Sequence, residues 1–211
     1  MPHFEFTPAE AATLANACLA ATAAGRARRP AGHAVTVSTV NKAIEEKIVP
    51  VRLTRDGHPR RYVRDAAIAY VAALRLVDVT LPKTAKRLIY RALAERMDEA
   101  RKSDRAIDGI VKLSPYLFMD LGNDLPEWTR IVHAYARARA DHIEENPEIM
   151  GGMPVVKGTR VPVHSLLAMV EGGDSVTSIA RDFPQLSDEA IEAAVLYARS
   201  HPRLGRPKQF R

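Results

Sequence analysis

Apolar residues in the first eighty positions recur at spacings that predict two helices followed by a hairpin. Thr7-Pro8 and Glu10 have the order of an N-cap, a proline at the first helical position and an acidic third residue, so a helix is predicted over 8–24. Helical spacing of apolar positions predicts a second helix over 37–48. Residues 50–63 then alternate apolar and basic side chains around Asp56-Gly57, a dipeptide typical of a tight hairpin turn. This order predicts a winged helix-turn-helix.

Helical periodicity also dominates the rest of the chain. A helix is predicted over 65–77 and a second one from after Pro82 to about residue 101, followed by a short hairpin over 110–119 and another helix over 126–143. After glycines and prolines that break the chain, capping residues and turns delimit three short helices at about 163–171, 175–183 and 187–200. The expected fold class is mainly α: a winged helix-turn-helix with a small β-hairpin, central helices, and a C-terminal three-helix module that is helix-turn-helix-like.

We expect four segments with different roles. Residues 1–80 would form the winged helix-turn-helix domain, and 81–140 the central helices and short hairpin that supply a dimer contact. Residues 141–200 would form the three-helix module and 201–211 a basic tail. No apolar run approaches the roughly 18 residues of a membrane helix, and a single cysteine suits a reducing compartment, so we expect a cytoplasmic protein without membrane contact.

Charge separates these segments further. The net charge is +6, but residues 1–64 hold 10 Lys and Arg against 5 Asp and Glu, whereas residues 141–200 hold 4 against 10. The last eleven residues hold four cations and no acidic side chain. Because a basic surface attracts a polyanion and an acidic one is repelled by it, the first segment suits DNA and the three-helix module suits a protein.

The predicted DNA contacts lie on the second helix and the hairpin. The major groove admits a helix, whose hydroxyl and amide side chains can contact base edges, while arginines on the wing can hold phosphates. The same pattern also fits an ordinary solvated helix and a charged surface hairpin. The residues predicted to bind double-stranded operator DNA are Ser38, Thr39, Asn41, Lys42, Arg52, Arg55, Arg60 and Arg61.

The C-terminal part leaves alternatives open. The three-helix module has the order of a helix-turn-helix, but its third helix begins with Asp188 and Glu189, which DNA phosphates would repel, so a protein contact is favoured. The basic tail can serve as a minor-groove arm, as a segment that places an arginine in a partner's acidic pocket, or only as a solubilising extension.

Enzymatic chemistry is not expected. Cys18 falls on the apolar face of the first helix and suits a buried position. The histidines at 133, 142 and 164 lie on different predicted elements, without a cysteine or acidic residue at metal-ligand spacing. Lys157-Gly158-Thr159 has the reverse order of a phosphate-binding loop, and its glycines are interpreted as turn residues. We therefore expect no catalytic residue, cofactor or metal.

Residues 146–163, with their Gly-Gly-x-Pro and Lys-Gly-Thr-Arg-Val-Pro elements, resemble the family known as domain of unknown function 433, as do 173–176, 182–186 and 194–198. The resemblance implies a VapB-type antitoxin that pairs with a PIN-like ribonuclease toxin. The layout, including the His-Pro-Arg-x-Gly-Arg-Pro tail, is similar to that of the longer members, and the hairpin is loosely similar to MerR and excisionase wings. The resemblance to this family also implies that Arg203, Arg206 and Lys208 contact the toxin.

Together these observations give one hypothesis and two alternatives. The hypothesis is a homodimeric antitoxin that neutralises a PIN-like ribonuclease toxin and binds its own operator as an autorepressor. A free-standing regulator that responds to a ligand between the central helices and has no toxin partner is one alternative. An interaction scaffold without DNA binding is the other.

Overall fold

A computed structural model describes residues 4–23, 34–54, 60–77, 80–103, 107, 109–115 and 117–202. The fold is mainly helical with small antiparallel sheets, which confirms the predicted mainly α class, while the winged helix-turn-helix stays a prediction. The chain divides into two compact units, Met1–Ala134 and Tyr135–Arg211. The functional boundaries expected near residues 80 and 140 stay predictions.

The elements of the first unit follow the predicted order, with one added strand. They are β1 Glu5–Phe6, α1 Pro8–Ala23, α2 Val37–Glu45, β2 Arg52–Leu53, β3 Arg61–Arg64, α3 Asp65–Leu76, α4 Lys83–Ser103, β4 Ile110–Ser114, β5 Leu117–Asp120 and most of α5 Asp124–His142. The second unit holds the end of α5, then β6 Ile143–Glu144, a 3₁₀ turn Met150–Gly152, β7 Val155–Val156, α6 Val163–Glu171, α7 Val176–Asp182 and α8 Asp188–Ser200.

Helix α1 begins with the capping arrangement that the sequence predicts. The backbone N–H of Thr7 donates to Glu10 Oε2 at 2.8 Å, and the backbone N–H of Glu10 donates to Thr7 Oγ1 at 3.2 Å. Each side chain thus satisfies a backbone group that the first helical turn leaves without a partner. The predicted start at residue 8 is confirmed.

The first unit contains a three-stranded sheet in the order β1-β3-β2. Strand β3 lies in the middle and pairs antiparallel with both neighbours: Phe6 lies opposite Val63, and Arg52 opposite Tyr62. The β2–β3 pair is the predicted hairpin, and its turn at 55–59 lies outside the described residues. The sequence did not predict β1, because two residues are too few to show an alternating pattern.

Helix α3 occupies the middle of the first unit. Residues 65–73 of this helix are all buried, and α3 packs against α1, α2 and α4. Its many alanines suit such a position, since small side chains let neighbouring helices approach closely.

Helix α2 buries Val40, Ala43 and Ile44, whereas Val37 is 43% exposed, in contrast to the predicted apolar face. Val37 is the first residue of α2.

A buried ion-pair network joins several elements of this unit at the start of α3. The carboxylate of Asp65 is fully buried and accepts hydrogen bonds from the Arg101 guanidinium and, at 2.9 Å, from the backbone N–H of Ala66. His133 Nε2 lies 3.3 Å from the same carboxylate. Arg101 also donates to Asp98, which pairs with Arg64. The network links β3, α3, α4 and α5.

Cys18 lies in the core of the first unit, as its position on α1 predicts. Its side chain is fully buried, and burial raises the pKa of the thiol to about 12. Since the thiolate is the reactive form, we expect Cys18 to resist iodoacetamide at pH 8 in the folded protein and to react fully in denaturant. Mass spectrometry of both samples measures the difference, and rapid alkylation of the folded protein would contradict it.

The second unit is built on a small apolar core beneath its three helices. Val156, Val163, Leu166, Ile179 and Ile191 are buried together there. The three predicted helices are confirmed, and the side chains of Ser175 and Ser187 accept from backbone N–H groups at 3.1 Å and 3.2 Å to cap α7 and α8.

A tight turn precedes α6 in the second unit. The backbone N–H of Val156 donates to the Val161 carbonyl at 2.9 Å, and the Thr159 hydroxyl donates to the Val156 carbonyl at 2.7 Å. Gly158 at the tip has φ +73°, in the left-handed region that favours glycine. The interpretation of this glycine as a turn residue agrees with the backbone.

Candidate nucleic-acid interface

The N-terminal end of α2 is held rigidly. Thr36 is its N-cap and forms a capping box with Thr39: the Thr39 backbone N–H donates to Thr36 Oγ1 at 3.2 Å, and the Thr36 N–H donates to Thr39 Oγ1 at 3.4 Å. The buried face of α2 fixes its rotation about its own axis. Side chains between the buried positions are thereby presented in a defined direction.

The four predicted contact residues of α2 differ in their surroundings. Ser38 and Lys42 are exposed and lie one helical turn apart, and Asn41 is half-buried. Thr39 is half-buried as well, and its hydroxyl accepts from Arg75 Nη2 at 3.0 Å in addition to its capping role. Ser38 and Lys42 are thus the most accessible of the four, while Thr39 already has an intramolecular function.

The β2–β3 hairpin places two of the predicted arginines at the surface. Arg61 is exposed on β3 opposite Leu53, and Arg60 is exposed just before that strand. The backbone around Arg60 is well defined, because its N–H donates to Thr54 Oγ1 at 3.0 Å and its carbonyl accepts from the Thr54 N–H at 3.1 Å. The two guanidinium groups therefore extend from a hydrogen-bonded hairpin.

Arg52 on β2 has a different environment. Its guanidinium forms an ion pair with Glu5 of β1 and lies over the Tyr62 ring, 5.5 Å from the ring centroid. The hydrogen bond to Glu5 raises the pKa of Arg52 above its ordinary value. Glu5 thus balances part of the charge that was predicted to contact phosphate.

The other predicted contacts lie outside the described residues. They are Arg55 in the hairpin turn and Arg203, Arg206 and Lys208 in the tail.

Two further cations lie near α2 and were not predicted. Arg75 of α3 reaches Thr39, and the Lys86 ammonium of α4 lies 3.6 Å from Oε2 of Glu46, the C-cap residue of α2. Nothing in the sequence indicates that these residues meet α2, because their proximity depends on how α3 and α4 pack. Arg75 adds positive charge beside Lys42, whereas Glu46 balances the charge of Lys86.

The second unit presents a mainly acidic surface. Asp188 and Glu189 in the first turn of α8 are exposed, and Glu189 Oε2 lies 3.9 Å from His142 Nε2. Exposed cations on this unit include Lys157 and Arg160, on the turn before α6. This distribution agrees with the charge split predicted for residues 141–200.

The described residues contain neither a cluster of metal-ligating side chains nor a membrane-spanning helix. No group of three or more His, Cys, Asp or Glu side chains there is arranged to hold a metal ion. Over the same ranges, no helix combines the length and the apolar character that crossing a bilayer requires.

Comparison with known proteins identifies one domain and one relative. Residues 143–198 match the family described as protein of unknown function (DUF433). The chain is 30% identical over 184 residues to the uncharacterized protein y4eO of Sinorhizobium fredii, and the alignment covers 83% of this chain and 80% of that protein. No solved structure matches the chain.

Proposed function

This chain belongs to the family of the Sinorhizobium fredii protein and carries a DUF433 domain, and on that premise we propose that it is the antitoxin of a type II toxin–antitoxin pair. Its first unit binds operator DNA and represses its own transcription. Its second unit and the basic tail bind and neutralise a PIN-like ribonuclease toxin. The protein itself performs no catalysis.

One observation supports the DNA-binding half above all others. Helix α2 presents Ser38 and Lys42 to solvent in the same compact unit as a hairpin that presents Arg60 and Arg61. A helix of this kind suits the major groove, and flanking arginines suit the phosphates beside it. Strand β3 is paired on both sides, so the hairpin belongs to a three-stranded sheet, which suits a role as a wing.

A promoter titration tests this half directly. The probes are a fluorescent duplex from upstream of the protein's own gene and a shuffled duplex of equal length and composition. Anisotropy should show tighter binding to the promoter, and the logarithm of affinity should fall linearly with the logarithm of salt concentration. Absence of binding to both duplexes in dilute buffer would remove DNA from the proposal.

The toxin-binding half is supported by charge and by the family resemblance. The exposed acidic residues of α8 disfavour DNA and suit a protein with a basic surface. The tail has the opposite charge, and a PIN-like nuclease gathers carboxylates around a divalent metal. An arginine such as Arg203 or Arg206 can enter such a site and form paired hydrogen bonds with its carboxylates.

Neutralising the tail is expected to abolish inhibition of the toxin. The variant replaces Arg203, Arg206 and Lys208 with glutamine, which removes three charges and keeps chain length. RNA cleavage by the purified toxin should return, while co-purification through the second unit persists. The matched control replaces Lys83, Arg87 and Arg91 of α4, which are exposed, with glutamine and should inhibit normally. Full inhibition by the tail variant would refute this role.

A homodimer is also part of the proposal, with its contact in the predicted 81–140 segment. The β4–β5 hairpin there exposes Phe118 at 62% and Ile110 at 39%. Covering such side chains favours association. We expect Phe118→Ser to shift the protein towards monomer in sedimentation velocity, whereas Leu53→Ser, which changes an apolar residue of β2 that is 55% exposed, should leave the dimer intact. A monomeric parent protein would exclude the dimer.

A further inference from the structure

A groove of about 460 Å³ lies between α2, α3 and the start of α4, within the first unit. Its volume is in the range of pockets that take small molecules, which is about 300–1,000 Å³. Charged side chains from all three elements line it: Lys42 of α2 and Glu46 at its C-cap, Arg75 from α3 and Lys86 from α4. The groove therefore faces three cations and one carboxylate.

The charges of the groove favour an anion. Lys86 lies near Glu46, so that pair is close to neutral, and the charges of Lys42 and Arg75 remain. Arg75 donates one hydrogen bond to Thr39, but a guanidinium carries five N–H donors. Ser38 lines the same groove and adds a hydroxyl group to these cations. An anionic group would meet several donors here.

The rest of the lining is apolar. Leu74 of α3 and Leu81 before α4 are half-buried and contribute aliphatic surface, whereas Ala43, Val71 and Tyr70 line the groove but are buried. The groove thus offers cations and hydroxyls together with an apolar surface.

We propose that this groove binds a small organic anion with an apolar body, of the class of aromatic carboxylates. The anionic group pairs with Arg75 and Lys42, and the body covers Leu74 and Leu81. An inorganic anion would satisfy only the cations, and a neutral hydrocarbon would leave them without a counter-charge. An amphipathic anion matches both parts of the lining.

The site has a regulatory consequence that rests on the proposed function. Ser38 and Lys42 line the groove and also belong to the face of α2 predicted to contact DNA. An anion on Lys42 competes with a DNA phosphate for the same charge. Ligand binding then lowers operator affinity, and by linkage operator DNA lowers ligand affinity by the same factor.

Binding of anilinonaphthalene sulfonate, a fluorescent aromatic anion, tests the site on the full-length protein. We expect saturable binding of one probe per chain. Arg75→Gln should weaken probe binding about tenfold, and Lys42→Gln, which changes an exposed residue, should also weaken it. Arg75→Lys should retain most of the affinity for the probe. Sodium benzoate should displace the probe, and inorganic phosphate at equal concentration should not.

Two control variants locate the probe. Arg91→Gln removes an exposed cation of α4 outside the groove, and Phe118→Ser removes the exposed aromatic side chain of β5, so both should bind the probe normally. Binding that survives Arg75→Gln and Lys42→Gln, or that is lost in Phe118→Ser, overturns the site. Displacement by phosphate as readily as by benzoate also overturns it, since the groove would then be a phosphate contact.

The DNA measurements are separate from the ligand measurements. Operator affinity is measured by anisotropy with and without benzoate. A protein that binds the probe as expected but no DNA would refute the DNA-binding part of the proposed function and leave the ligand site standing. Normal DNA binding that benzoate does not weaken would refute the competition.

Discussion

Replacing Asp65 with asparagine is expected to lower the free energy of unfolding by about 3 kcal/mol. The substitution keeps the size of a fully buried side chain but removes the charge that Arg101 faces. A guanidinium whose side chain is only 9% exposed then lacks its main partner. This loss is at the lower end of what removing one partner of a buried ion pair costs, because Arg101 still donates to Asp98 at 3.3 Å. Urea unfolding followed by circular dichroism measures the loss.

The pH dependence identifies the charge as the cause. Burial opposes ionisation of Asp65, but the hydrogen bond from His133 and the charge of Arg101 outweigh it and lower its pKa below the ordinary 3.8. A carboxylate with a lowered pKa stabilises the fold above its unfolded pKa, and this contribution is lost as pH falls through the folded value. The difference between the parent protein and Asp65→Asn should therefore shrink below about pH 4.

An exposed ion pair provides the control for Asp65. Glu127 and Arg130 pair at 2.6 Å on the surface of α5. Because water screens such pairs, Glu127→Gln should leave the urea midpoint essentially unchanged. If Asp65→Asn were as stable as Glu127→Gln, the buried network would not hold α3, α4 and α5 together.

The double replacement of Arg60 and Arg61 with alanine is expected to weaken operator binding about 10- to 100-fold at 0.15 M salt. Both side chains are exposed on the wing, so folding should persist. Each lost phosphate contact removes about one unit from the slope of affinity against salt, so the slope should fall by about 1 to 2. Anisotropy titrations over a salt series measure both quantities.

A matched control distinguishes the loss of arginines from the hairpin from the loss of net positive charge as the cause of weaker DNA binding. Arg181 and Arg199 are exposed on α7 and α8 of the second unit, and replacing both with alanine removes the same charge. That variant should keep most of the affinity and the full salt slope. An unchanged slope in the wing variant would mean that the wing does not contact DNA.

Local patterns in the sequence predict most of the elements. The start of α1, the three helices of the second unit and the two hairpins are confirmed, because capping side chains and turn residues act within a few positions of one another. The exposed residues of α2 were also predictable, since helical spacing separates Ser38 and Lys42 from the buried Val40 and Ile44.

Features that depend on distant residues were not predictable. Asp65 follows a basic strand and has the pattern of an ordinary helix start, yet it is fully buried because Arg101 and His133 converge on it from other helices. Arg75 likewise reaches the groove only because α3 packs against α2. Single-sequence periodicity reports which face of a helix is buried and does not report what lies opposite.

The pairing of β1 with β3 has a consequence for handling this protein. Strand β3 has neighbours on both sides only while Glu5 and Phe6 are in place. Trimming the chain past Phe6, by proteolysis or by a misassigned start codon, would expose the backbone amides and carbonyls of β3 and the apolar surface that Phe6 covers. An unpaired strand edge of this kind can pair with strands of other molecules, so the truncated protein would tend to aggregate.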